Sequence, residues 1–189
     1  MRAAALTIST SKAAGAGQDQ SGPALESLAH ALGASIVERE LVPDDRDLIE
    51  ARLRRFADAE DNHACCALVL TSGGTGVSPD DVTPEATRAV LDREIPGIAE
   101  AIRLTSQQHT ANWMLSRAIA GVRGTTLIVN LPGSPRAIAQ VAEALAPALA
   151  HALALIAGAP AAHAGQDPEP ARVADAAARQ PVCRRRTRG

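Results

Sequence analysis

Cys65-Cys-Ala-Leu-Val-Leu70 runs straight into Thr71-Ser-Gly-Gly-Thr-Gly-Val-Ser-Pro-Asp-Asp-Val-Thr-Pro-Glu-Ala-Thr87. The first piece is a short apolar run and reads as a strand buried on both faces. The second packs three glycines, several hydroxyls and two carboxylates into one loop. It ends in Thr83-Pro84, a helix start with the threonine as N-cap and the proline at the first helical position. Strand, open loop and helix together form the repeating unit of an α/β sheet. A loop with few side chains over its backbone exposes N–H groups that close around a phosphate or a flat polar ligand, and its acids hold a metal ion.

Outward from this stretch the alternation continues. Residues 3–10 and 34–41 read as strands. Between them, Leu25, Leu28 and Leu32 recur at helical spacing, and Gly33 stops the helix. Residues 45–61 carry Leu48, Ile49, Leu53 and Phe56 on one helical face. The pattern predicts helices near 97–105 and 112–120 and a strand over 125–131. A long Ala/Leu helix then opens at Ser134-Pro135 and runs to about residue 157. The class is α/β with a mostly parallel sheet. Ligands of such sheets bind beyond the carboxyl ends of the strands, where residues 9–22, 71–81 and 130–134 all fall. The domain spans residues 1–158, and residues 159–189, rich in Ala, Pro and Arg, read as a mobile tail ending in a small basic cluster.

The composition limits the partners. The 189 residues carry a formal charge of −2, and Phe56 and Trp113 are the only aromatics. A general nucleic-acid binder shows a basic surface and stacking aromatics, so that class is excluded. Three cysteines, two of them adjacent, suit buried thiols in a reducing compartment. No signal peptide and no apolar run of membrane-spanning length is read. The expectation is a cytoplasmic protein.

The loops match no common phosphate fingerprint. No lysine follows Gly76 as a P-loop requires, and residue 79 is proline where a dinucleotide fingerprint needs glycine. Asp81, at the end of the loop, reads either as an acid favoured by the helix dipole or as a Mg²⁺ ligand. Asp44, in Val-Pro-Asp-Asp, reads as an N-cap when taken by itself. In Pro132-Gly133-Ser134, the glycine allows close backbone approach and the serine caps a helix or binds an oxygen. Ser9 and Lys12 follow the first strand, and the lysine offsets phosphate charge or is an ordinary surface residue. Ser21 and Gly22 open the first helix. The five histidines show no metal spacing.

Taken jointly, Thr71-Ser-Gly-Gly-Thr-Gly with Asp81-Val-Thr-Pro-Glu-Ala-Thr87 resembles the MogA/MoaB family of molybdopterin-binding proteins of molybdenum cofactor biosynthesis. Pro96-Gly-Ile-Ala-Glu100-Ala-Ile-Arg103, Met114-Leu-Ser-Arg-Ala-Ile-Ala-Gly121 and Asn130-Leu-Pro-Gly-Ser134 extend the resemblance, as do Asp19-Gln-Ser-Gly22 and Val42-Pro-Asp-Asp45. It covers roughly residues 3–157, with the motifs in order. It implies a three-layer α/β/α sandwich assembled as a homotrimer, in some members a hexamer. It also implies Mg²⁺-dependent adenylylation of molybdopterin by ATP, releasing pyrophosphate, with a molybdenum-insertion enzyme as a further partner. Asp44 and Asp81 fall on the aspartates tied to activity and metal. Thr71, Ser72, Gly73, Gly74, Thr75 and Gly76 fall on ligand-binding segments, with Pro132, Gly133 and Ser134. Glu100 and Ser116 are expected pterin or phosphate contacts. A molybdopterin-binding member without catalysis is the alternative.

Overall fold

The structure, a computed structural model, describes residues 1–58 and 65–159. Its sheet has six strands: β1 (Arg2–Ile8), β2 (Ser35–Val42), β3 (Leu68–Ser72), β4 (Arg93–Glu94), β5 (Ala120–Arg123) and β6 (Thr126–Leu131). Their order is β2-β1-β3-β6-β5-β4. The first four in that order are mutually parallel. β5 turns back antiparallel to β6, and β4 pairs antiparallel with β5.

The helices are the single turn α1 (Thr10–Ala13), then α2 (Ser21–Ala31), α3 (Arg46–Ala57), α4 (Thr83–Val90), α5 (Pro96–Gln107) and α6 (Pro135–Ile156). Period-two alternation divides the core. Ala3, Ala5, Leu68, Leu70, Leu127 and Val129 face Leu25 and Leu28 of α2, Ile98 and Ile102 of α5, and the stripe Ile138, Val141, Leu145, Leu149 and Leu153 of α6. Ala4, Leu6, Ile8, Val69 and Ile128 face Ile49, Leu53 and Phe56 of α3 with Ala86 and Val90 of α4. The result is a three-layer sandwich. Each fully buried Leu, Ile or Phe contributes about 1.5–3 kcal/mol by leaving water.

Several sequence expectations shift. β1 ends at Ile8, because Ser9 and Thr10 turn into α1 with the Ser9 hydroxyl as cap. β3 begins at Leu68, not at Cys65. The helix expected over residues 112–120 is a 3-10 turn, Ala111–Leu115, followed by β5. Arg93–Glu94 was not foreseen as a strand. Thr83 does not cap α4: Val82 stands at the N-cap without a side-chain bond, and the Thr83 hydroxyl donates to the Gly73 carbonyl at 2.9 Å. α6 is long and apolar enough to cross a membrane by length and composition, which the sequence reading denied. Its stripe Ile138, Val141, Leu145, Leu149 and Leu153 packs on the sheet, and 28% of its apolar window is buried. The helix expected over residues 45–61 stops at Ala57, because Asp58 is extended; residues 59–61 and most of the tail lie outside the described residues.

Candidate functional site

The four parallel strands end on the same edge, and their loops are knitted together there. From β1, the Thr10 N–H and hydroxyl both donate to Asp44 Oδ2 at 2.8 Å. From β3, the Ser72 hydroxyl donates to the Pro132 carbonyl, which follows β6, at 2.8 Å. Ser21, at the head of α2, donates to the Gly133 carbonyl at 3.0 Å. Asp19 holds that helix in place, accepting from the N–H groups of Ser21 and Gly22 at 2.9 and 3.0 Å and from the Thr7 hydroxyl at 3.0 Å.

The glycines at the centre are required by contact. Gly73 has φ +104°, and a Cβ there would lie 2.1 Å from the Ile8 carbonyl oxygen. Gly74 has φ +60°, and its Cβ would meet Thr83 Oγ1 at 2.4 Å and Asp44 Oδ1 at 2.9 Å. At Gly76 a Cβ would lie 2.9 Å from Asp81 Oδ2. The two carboxylates thus press on residues 74 and 76 of one loop, whose Cα atoms are at most about 7.6 Å apart. Each aspartate is half-buried and has one oxygen engaged. Asp44 uses Oδ2 on Thr10, and Asp81 uses Oδ2 on the Ser78 N–H at 2.8 Å. Oδ1 of each accepts no hydrogen bond from a described residue. The N–H groups of Gly74, Thr75 and Gly76 likewise donate to no described residue.

This arrangement corrects one local reading. The N-cap of α3 is Asp45, which accepts from the Leu48 N–H at 2.9 Å, so Asp44 is released from that duty. Of the remaining candidates, Ser9 and Lys12 sit at α1 beside Thr10. Ser134 caps α6 through the Ala137 N–H at 3.3 Å and is exposed, as is Gly133. Thr71 and Ser72 are buried beneath the loop, and the Thr71 hydroxyl accepts from Asn130 Nδ2 at 2.9 Å. Ser116 closes the 3-10 turn. Glu100 is exposed on α5, and no described residue hydrogen-bonds or ion-pairs with it.

Two features escaped the sequence reading. A cavity of about 350 Å³ opens between α4, β4, α5 and the segment before β5, lined by Glu85, Arg88, Glu94, Arg103 and Arg117 among others. Arg117 also reaches from this cavity to the glycine loop, donating from Nε to the Gly76 carbonyl at 2.5 Å and from Nη2 to the Asp81 carbonyl. Its partners are distant in sequence, so no spacing rule reveals it. Its place in the Leu-Ser-Arg motif was the available signal.

As to metals, no cluster of three or more His, Cys, Asp or Glu occurs among the described residues. Two carboxylates with substrate phosphates completing the shell is the usual Mg²⁺ arrangement. Asp44 and Asp81, each with an oxygen left over beside an open backbone, fit it.

A glycine loop set against two acids at the carboxyl edge of a largely parallel sheet defines the class, a three-layer α/β protein with its candidate site at that edge, and the comparisons give the family. Residues 4–151 match the family model described as "Probable molybdopterin binding domain", and the chain belongs to that family. It is 39% identical over 155 residues to a protein of Helicobacter pylori named molybdopterin adenylyltransferase, covering 81% of this chain and 86% of that one. An Escherichia coli protein of the same name is 41% identical over 76% of this chain and 72% of its own length. The MoaB structure from Thermus thermophilus superposes with a TM-score of 0.75 at 45% identity, covering 84% of this chain and 98% of that one. A MogA structure gives 0.76 at 39% identity, over 82% and 99% of the two chains.

Proposed function

We propose that this protein works in molybdenum cofactor biosynthesis as a molybdopterin adenylyltransferase. The observation that carries the reading is the pair Asp44 and Asp81, held against Gly74 and Gly76 of the same loop. Relatives bearing that enzyme name, at about 40% identity over most of the chain, support it.

In this reading a terminal phosphate oxygen of molybdopterin attacks the α-phosphorus of ATP. A new P–O bond forms as the bond to pyrophosphate breaks. Asp44 and Asp81 would hold a Mg²⁺ through their Oδ1 atoms. The ion, when bound, neutralises charge on the triphosphate. The N–H groups of Gly74, Thr75 and Gly76 would bind phosphate oxygens, and Lys12, in α1 after β1, would add positive charge. Such chemistry is mainly positioning and electrostatics. A loop tied by the Thr83 hydroxyl at Gly73, beside a Pro132-Gly133 turn held by Ser72 and Ser21, suits it because little reorganisation remains at the moment of reaction. The exposed Gly133 and Ser134 and the segment around Ser116 offer further surface for the pterin phosphate, with Glu100 a more remote contact.

We further propose a homotrimer, or a hexamer built from it, in the cytoplasm, handing its product to a molybdenum-insertion enzyme. The exposed apolar side chains Val77, Leu104, Met114 and Leu115 support self-association. The buried free thiol of Cys66 suits a reducing compartment. Sedimentation velocity tests the assembly.

Incubation with molybdopterin, ATP and Mg²⁺ should release pyrophosphate and form adenylyl-molybdopterin. Asp81→Asn should stop release while molybdopterin binding stays within a few-fold, about 1 kcal/mol or less. Absence of pyrophosphate from the unaltered protein, with molybdopterin bound, would instead favour a binding protein without catalysis.

A further inference from the structure

We infer that Arg117 is a positioning residue that clamps the loop carrying Asp81, a role resting on the adenylyltransferase reading above. One residue holds the loop at three points and the head of α4 at a fourth. The Arg117 N–H donates to the Thr75 carbonyl at 2.9 Å. Its Nε donates to the Gly76 carbonyl at 2.5 Å, its Nη2 to the Asp81 carbonyl, and its Nη1 pairs with Glu85 in the first turn of α4. Gly76 and Asp81 are the two ends of the turn that also contains Ser78, whose N–H closes on the Asp81 carboxylate. A planar guanidinium with donors in a fixed fork meets both carbonyls at once, whereas an ammonium is a point charge that reaches one.

Other bonds to the 75–81 segment are local. The Asp81 N–H donates to the Ser78 carbonyl at 3.0 Å, and just outside the segment the Thr83 N–H donates to the Gly74 carbonyl at 3.1 Å. Among the described residues Arg117 is the long-range tie, joining the loop to the segment between the 3-10 turn and β5. That segment is itself anchored by Arg103, which donates to the Ala118 carbonyl at 3.1 Å. Without the clamp, the turn keeps its internal bonds but loses its fixed place relative to Asp44. Glu85 Oε2 is buried without a described hydrogen-bond partner, though the side chain as a whole is 39% exposed, so deleting Arg117 also costs Glu85 its ion-pair partner. The double variant Arg117→Ala/Glu85→Gln separates that penalty from the loss of the clamp.

The test measures amide hydrogen exchange across residues 75–82 together with steady-state adenylylation. Arg117→Ala and the double variant should raise loop exchange by about tenfold or more, leave the β1, β3 and β6 amides protected, and lower kcat by about tenfold or more with KM for ATP within about threefold. Arg117→Lys should fall between. Unchanged loop exchange in the double variant, or a uniform rise across the sheet with kcat and KM of the folded fraction unaltered, overturns the inference. If the unaltered protein releases no pyrophosphate, the function reading fails by itself, and the exchange result still decides whether Arg117 clamps the loop.

Discussion

Thr10 and Asp44 are bonded in both directions across two strand ends. Thr10 gives Asp44 Oδ2 two hydrogen bonds at 2.8 Å, from its N–H and its hydroxyl, and the Asp44 N–H returns one to Thr10 Oγ1 at 3.0 Å. The carboxylate is thereby fixed with Oδ1 turned to the glycine loop. Thr10→Val keeps the shape and removes the hydroxyl, leaving the Asp44 N–H unpaired and Oδ2 with one donor. Bonds to a charged group contribute about 1.5–3 kcal/mol. In a pyrophosphate-release assay Thr10→Val should therefore lower kcat/KM by about ten- to a hundredfold, while Thr10→Ser stays near the parent. Equal activity in all three proteins would remove the pair from the mechanism.

Gly73 and Gly97 form a matched contrast. At Gly73 an alanine meets both a φ of +104° and the Ile8 carbonyl at 2.1 Å, so the end of β1 must move. Gly73→Ala should cost about 3 kcal/mol or more. A Cβ on Gly97, near the start of α5, meets nothing within 4 Å. Gly97→Ala should be neutral or stabilising by up to about 1 kcal/mol, since it replaces glycine by a better helix former. Urea unfolding of both variants, with m-values checked against the parent, reads the difference.

Much of this was legible in the chain because it depends on local pattern. Three of the four parallel strands announced themselves as apolar runs, while β2 carries Glu38, Arg39 and Glu40 at the sheet edge, and glycine-bearing loops fell at the carboxyl ends of β1, β3 and β6 because an open sheet puts them there. What stayed hidden depends on distant contacts. Gly121 in β5 is forced by β4, since a Cβ there would lie 2.4 Å from the Arg93 carbonyl. Neither two-residue β4 nor four-residue β5 has enough length to show a period. The exchange of roles between Asp44 and Asp45 was invisible for a similar reason. Both acids precede the same helix, and which one caps it is decided by Thr10, far away in sequence.

Asn130 ties the layers under the site. Its Nδ2 donates to the hydroxyls of Thr71 and Thr87 at 2.9 and 3.0 Å, and its Oδ1 accepts from the Ile119 N–H at 3.3 Å. Asn130, Thr71 and Thr87 are each 0% exposed. Asn130→Ala leaves those three groups without that partner and opens a void, at a cost of about 3 kcal/mol. A thermal melt should show the loss. Thr87→Val, which removes one acceptor, should cost less and, when combined with Asn130→Ala, should add less than its separate effect, because the two share one bond. Strict additivity would show that the Asn130–Thr87 bond contributes nothing measurable.

The Cys66 thiol gives the stability a pH dependence whose sign follows from its surroundings. Burial pushes its pKa above the ordinary value of 9.0, and the charges of Arg2 and Arg55 oppose that rise only in part. The folded protein therefore holds this proton more tightly than the unfolded chain does. Its contribution is fully present below pH 9.0 and is lost as pH climbs through the higher folded-state pKa. Other groups also titrate in alkali, so the informative quantity is the difference between the parent and Cys66→Ala. The alanine variant should be less stable at pH 7, through lost packing. Its deficit should shrink steadily in urea titrations above pH 9.0, because it has no thiolate to bury. A deficit that stays constant with pH would mean that Cys66 ionises as easily folded as unfolded, and that burial between β3 and α3 leaves its thiol in contact with water.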